Sequence, residues 1–171
     1  MQELKEDEKE RAENVMIVDL VRNDLSRIAE KGSVKVDELL GIYSFEQVHQ
    51  MISTVSCQLK RDVSFEEIIR ATFPMGSMTG APKVRAMQLI EEFESSRRGL
   101  YSGALGFISP AGDFDFSVVI RSILYNEEKK YVSFHVGSAI TAKSDPEKEY
   151  EECLIKAKAL VEALNGEIIN S

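Results

Sequence analysis

A chain of 171 residues, 43% hydrophobic and 29% charged, has an ordinary soluble globular composition and is long enough to bury a core. Its net charge of −8 disfavours nonspecific binding to nucleic acid or to a membrane surface, so no partner of either kind is expected. No apolar run approaches the ~20 residues of a membrane span, the Lys/Glu-rich start does not read as a signal peptide, and Cys57 and Cys153 fit no metal-ligand spacing, so a reducing cytoplasm is the expected setting.

Leu4 to Ala29 reads as one long helix, with Ala12, Val15, Met16, Asp19 and Leu20 near helical spacing and Gly32 beyond its end. Ser33 to Val36 is a short extended piece. Within Tyr43 to Leu59, the residues Val48, Gln50, Ile52 and Thr54 favour a strand. Ser64 starts a short helix through Ala71, with Glu67 at the capping-box position. Phe73 to Gly80 is a Gly/Pro loop, and Pro82 suits the first turn of a helix running to about Phe93. Three strands follow: Ser102 to Ile108, Phe114 to Leu124 and Tyr131 to Val136. Ser109-Pro110-Ala111-Gly112 turns the first hairpin and Asn126 to Lys129 the second. Pro146 to Leu164 is the last helix. Helices and antiparallel strands in mixed order predict an α+β fold, an antiparallel sheet flanked by helices.

Several residues carry chemistry. Glu10 and Glu13 share a helix face at i, i+3, and Glu149 and Glu152 repeat the arrangement on the last helix. Such carboxylates suit a hard cation such as Mg2+, although a Glu-rich face is usually just solvated. The Gly76-Ser77-Met78-Thr79-Gly80 loop enters a helix N-terminus, where glycines let backbone N–H groups approach an anion; a plain structural turn has the same composition. Arg121 lies within the apolar run Ser117 to Ile123, where it can face water or clamp a carboxylate bidentately.

Three stretches in register go beyond pattern. They are Glu13-Asn14-Val15-Met16-Ile17-Val18-Asp19-Leu20-Val21-Arg22-Asn23-Asp24, Phe73-Pro74-Met75-Gly76-Ser77-Met78-Thr79-Gly80-Ala81-Pro82-Lys83-Val84-Arg85-Ala86-Met87, and Ser144-Asp145-Pro146-Glu147-Lys148-Glu149-Tyr150-Glu151-Glu152. In that order and spacing they resemble the chorismate-binding family of anthranilate, aminodeoxychorismate, isochorismate and salicylate synthases, essentially end to end. The resemblance implies an α/β sandwich-like fold, a chorismate pocket and Mg2+. It implies that Glu13 and Glu152 ligate the ion directly, with Glu10 and Glu149 acting mostly through water. It places Ser77, Thr79 and Gly80 near the ring carboxylate, and Tyr101, Arg121 and Lys156 at the enolpyruvyl carboxylate. Lys83 is a weaker candidate, at most a support for the loop.

The resemblance also bears on the reaction. Gly-Ser-Met-Thr-Gly is closer to the loop usual in the aminodeoxychorismate-forming branch than to the Gly-Thr-Leu-Ser-Gly of anthranilate-forming members. Anthranilate-type members typically carry a His at the position of Gln50, linked to pyruvate elimination. Here His49 stands one residue earlier, which on a strand turns its side chain to the other face. The implied reaction is amination of chorismate to 4-amino-4-deoxychorismate for 4-aminobenzoate and folate synthesis, with a glutamine amidotransferase supplying ammonia. Anthranilate formation is the alternative. The branch's lysine nucleophile belongs to a Pro-Ile-Lys-Gly-Thr-type motif absent from these residues, and a general acid/base glutamate is expected upstream as well. The chain is therefore expected to be the C-terminal portion of a chorismate-binding catalytic domain, inactive alone and prone to self-association through unpaired strand edges. Gly137-Ser138-Ala139 departs from the commoner glycine-rich form, and His135 acquires no role.

Overall fold

Asp7 divides the first helical stretch, which the periodicity predicts as one piece. In the computed structural model, which describes residues 2–45, 49–142 and 144–166, α1 spans Gln2–Glu6 and α2 spans Glu8–Ser26. Asp7 leaves helical geometry (ψ 110°), and its carboxylate accepts the Glu10 N–H at 3.0 Å. A short acidic side chain satisfies an orphan N–H better than it extends a helix, so Asp7 caps α2. The covered stripe of α2 also differs from the expected one. Ala12, Val15, Met16 and Asp19 face solvent, while Asn14, Ile17, Val18, Val21 and Asp24 turn inward. Apolar residues lie on both sides of this helix, so period alone does not choose between the two stripes.

The chain divides into two compact units, Met1–Ser95 and Ser96–Ser171. In the first, α2 packs on an antiparallel hairpin of β1 (Lys35–Ser44) and β2 (His49–Ser56). The short extended piece expected at Ser33 to Val36 overlaps the start of this ten-residue β1, which begins at Lys35. Val48, expected in β2, lies outside the described residues. Pairing runs Val36↔Val55, Gly41↔Ile52 and Tyr43↔Gln50, with a register shift between Glu38 and Gly41. Within the shift Leu40 has φ 59°, and its N–H bonds the Ser53 hydroxyl at 2.9 Å. Ser53 in turn donates to Asn14 Oδ1 at 2.5 Å, and Asn14 Nδ2 donates to the Met51 carbonyl at 3.4 Å. The backbone N–H freed at the bulge is thus satisfied by a β2 serine that the neighbouring helix holds in place.

α3 spans Phe65–Thr72 and carries the expected capping box: Ser64 Oγ accepts the Glu67 N–H, and the Glu67 carboxylate accepts the Ser64 N–H. Those backbone and hydroxyl donors hold the Glu67 carboxyl below its usual range. A depressed carboxyl supports the folded state above the ordinary Glu value and withdraws that support as pH falls through its folded value. Ser64→Ala is expected to cost about 1 kcal/mol at neutral pH and less in acid; urea unfolding at both pH values measures it. The loop after α3 contains a 3-10 turn at Gly76–Met78, and α4 spans Lys83–Phe93 with Pro82 as its N-cap, one residue earlier than expected.

In the second unit β3 (Ala104–Ile108) pairs with β4 (Phe114–Val118), and β5 (Leu124–Asn126) pairs with β6 (Tyr131–Ser133). The expected strand from Phe114 to Leu124 is therefore two strands in two ladders. The break lies at Ile120, whose N–H turns back to the Val118 carbonyl at 2.9 Å, and at Arg121, with φ 49°. The strand expected to reach Val136 ends at Ser133. Gly112, at φ 92°, turns the first hairpin as its sequence predicts. α5 spans Pro146–Ala163, capped by Asp145 through the N–H groups of Glu147 and Lys148.

Buried apolar residues are few among those described: Val18, Ile28, Ala29 and Ala71 in the first unit, Ala157 and Leu160 in the second. The β3–β4 hairpin exposes Leu105 (74%) and Phe107 (63%). All described ladders are two-stranded and antiparallel, which with the five α-helices among the described residues makes the class α+β, as expected. No described helix is long and apolar enough to cross a membrane.

Candidate functional site

Glu10 and Glu13 sit on the half-buried stripe of α2, three residues apart. That stripe continues through Ile17 and Leu20 to Asp24, at i+7, i+10 and i+14 from Glu10, all within one helix face. At its far end the Gly76–Met78 turn presses onto α2. A Cβ built on Gly76 would meet Leu20 Cδ2 at 2.6 Å, so a larger residue there would have to displace the Leu20 side chain.

The loop's side chains divide by their bonds. Ser77 is exposed. The Thr79 hydroxyl donates to the Met75 and Gly76 carbonyls at 3.0 and 3.3 Å, so its proton is shared within the loop while its oxygen can still accept. Gly80 has φ 148°, a conformation side chains rarely adopt. Lys83, the first residue of α4, forms an ion pair with Asp24; the side chains are 16% and 6% exposed. Asp24 drew no notice from the sequence, where it is one of 29 acidic residues. Only its burial distinguishes it.

The second unit gathers its own cluster. Glu149, in the first turn of α5, is 4% exposed, and the Ser138 hydroxyl donates to its Oε2. A carboxylate there is favoured by the positive end of the helix dipole. Glu152, one turn further, accepts from Lys156 Nζ at 2.5 Å. Lys156 also donates to the Gly137 carbonyl at 3.0 Å. The Tyr101 hydroxyl lies 2.8 Å from where a Gly137 Cβ would stand, so glycine makes room for it. The Tyr101 ring stacks on His135 (centroids 5.6 Å apart, planes 24° apart) and receives the Arg98 guanidinium at 5.8 Å. Tyr101, Glu149, Glu152 and Lys156 thus meet around the Gly137-Ser138 backbone. Arg121 is not the strand-interior residue the apolar run suggested; it is exposed, at the bend after β4. Ser138 and His135 are contributors that residue type alone did not mark.

The donor chemistry fits Mg2+: carboxylate oxygens in pairs, one of them buried and oriented by a hydroxyl. Among the described residues of either unit, no three Asp, Glu, His or Cys side chains stand close enough to hold an ion by themselves. His49 pairs with Ser44 across the hairpin, its Nδ1 2.9 Å from the hydroxyl, and Gln50 pairs with Tyr43. Cys57 and Cys153 are free and half-buried, and burial raises both thiols.

The model of the chorismate binding enzymes matches residues 1–162, and the chain belongs to that family. It is 48% identical over 172 residues to a probable aminodeoxychorismate synthase, chloroplastic, of Oryza sativa subsp. japonica, covering 98% of this chain and 19% of that protein. It is 45% identical over 163 residues to anthranilate synthase component 1 of Aquifex aeolicus (strain VF5), covering 95% and 33%. The crystal structure of anthranilate synthase component I from Streptococcus pneumoniae TIGR4 superposes with a TM-score of 0.79 at 36% identity, over 93% of this chain and 36% of that one. The chain thus spans between a fifth and a third of the length of these curated relatives.

Proposed function

We propose that this chain is the C-terminal portion of a chorismate-binding catalytic domain whose enzyme replaces the ring hydroxyl of chorismate with an amino group, giving 4-amino-4-deoxychorismate and water. Ammonia comes from a glutamine amidotransferase partner. The family membership along 1–162 supports the chorismate reading. Gln50, where anthranilate-type members typically carry histidine, is the observation that carries the choice of product.

Mg2+ is assigned to Glu10, Glu13, Glu149 and Glu152. When bound it would polarise the leaving hydroxyl and neutralise a substrate carboxylate, which a chain of net charge −8 otherwise repels. Ser77, Thr79 and Gly80 offer the loop backbone and hydroxyls to the ring carboxylate. Tyr101, Arg121 and Lys156 are assigned to the enolpyruvyl carboxylate. Glu152 and Gly137 hold the Lys156 ammonium in place, and a substrate carboxylate would complete its set of three donors.

The test is product analysis. The longer protein, given chorismate, Mg2+ and ammonia, is expected to release 4-amino-4-deoxychorismate and no anthranilate. Fluorescent anthranilate appearing without an added lyase would establish the alternative reading, which the 45% identity to an anthranilate synthase component keeps in play. Self-association of the chain through its two-stranded ladders is read by sedimentation across a concentration series.

A further inference from the structure

We propose that Asp24 and Lys83 form a positioning clamp that, with the Gly76–Leu20 contact, holds the Gly76–Gly80 loop in fixed register with the Glu10/Glu13 end of α2. The inference deepens the proposed function and rests on it for the identity of the ligand.

The placement of the two charges is the argument. Asp24 lies in the last turn of α2, where the helix dipole presents its negative end. Lys83 is the first residue of α4, at a positive end. Each charge alone stands at the unfavourable end of its own helix, and each is largely buried. Together they neutralise one another between two helix ends of opposite polarity. A buried pair is weak evidence of stability, because desolvation offsets the attraction; its best-attested use is to fix register. Here the register has an object. Leu20 and Asp24 are one turn apart on one face of α2, so the loop is fixed to the helix at its first residue and just after its last: Gly76 on Leu20, Lys83 on Asp24. Glu13 lies seven residues before Leu20 on the same stripe, about 10 Å away at the ~1.5 Å rise of an α-helix. With both contacts made, α2 sets the spacing between its acidic end and the loop. Lys83 is then a positioning residue, one that acts through the loop.

Hydrogen exchange and ligand binding test this on the chain and on the longer protein. In Asp24→Asn and in Lys83→Met, the Met78 and Thr79 amides, which bond Met75 and Gly76 carbonyls in the native loop, are expected to exchange at least about tenfold faster. The β1–β2 amides keep their protection, and Lys83→Arg restores slow exchange. Chorismate affinity at saturating Mg2+ is expected to fall about tenfold with Mg2+ affinity unchanged. Should either single variant fail to fold, Asp24→Asn/Lys83→Met removes both buried charges, and fast loop exchange is expected in that folded protein. Loop exchange at the wild-type rate in the folded variants overturns the clamp. A wild-type protein that binds no chorismate overturns the functional reading instead, and the exchange result still decides the clamp.

Discussion

Glu149→Gln is expected to lower Mg2+-dependent turnover of chorismate by the longer protein roughly 100-fold, with the fold intact. The size follows from the several kcal/mol that a correctly placed cation contributes, at 1.36 kcal/mol for each factor of ten. Glutamine matches the shape of the side chain and can still accept from Ser138, so packing is preserved. What disappears is a buried negative charge in the first turn of α5. A charge held there, largely out of water and oriented by a hydroxyl, is preorganised for a cation in a way that a solvated surface glutamate is not. Steady-state kinetics across a Mg2+ titration reads the effect. A loss that excess Mg2+ partly recovers places it in ion binding. Wild-type turnover by Glu149→Gln at every Mg2+ concentration would remove Glu149 from the assigned ligands.

The largest effect on folding is expected from Gly106→Ala. Gly106 pairs with Phe116 across the β3–β4 hairpin, and a Cβ there would stand 2.0 Å from the Asp115 carbonyl oxygen and 2.7 Å from the Phe116 ring. The ring lies over the bare glycine backbone, an arrangement that covers a residue with no side chain of its own. The carbonyl cannot move without breaking the ladder, so the strands must part locally. A loss of about 2–3 kcal/mol is expected, at the upper end for an overpacked site. Urea unfolding measures it, and Gly112→Ala offers a second reading: a Cβ there meets no atom, but φ 92° makes the penalty one of backbone strain. Equal stability of Gly106→Ala and the wild type would mean that the ladder shifts to admit the methyl.

Much of this architecture was legible where one residue's chemistry decides a local outcome. Ser64 with Glu67 predicted a capping box that is present, and Pro146 marked the true start of α5. Gly112 marked a turn. The predictions that failed depended on where a pattern stops. Asp7 reads equally as a helix residue or a cap, and only the Glu10 N–H decides. The apolar run Ser117 to Ile123 has the composition of a strand throughout, but its ladder partner runs out at Ser102–Gly103 and the chain turns at Ile120. β1 was underread because Asp37 and Glu38 interrupt its apolar character, although the hairpin partner supplies the pairing that propensity lacks. At the site, the glutamates, the loop, Tyr101 and Lys156 were marked by resemblance. Asp24, Ser138 and His135 were not, because their importance lies in what they touch.

The bond chain from Leu40 through Ser53 to Asn14 has a consequence for how this chain can be varied. The backbone kink in β1 draws its satisfaction from a serine on β2 and an asparagine on α2, so the three positions depend on one another. A chimera that imports a hairpin lacking the kink and its serine would leave Asn14 Oδ1 with no hydroxyl to donate to it. One that imports a foreign α2 would strip the kink of its anchor. Recombination between relatives should therefore succeed when its crossover falls after Ser56 and fail when it falls between Ser26 and Lys35, however similar the joined segments are.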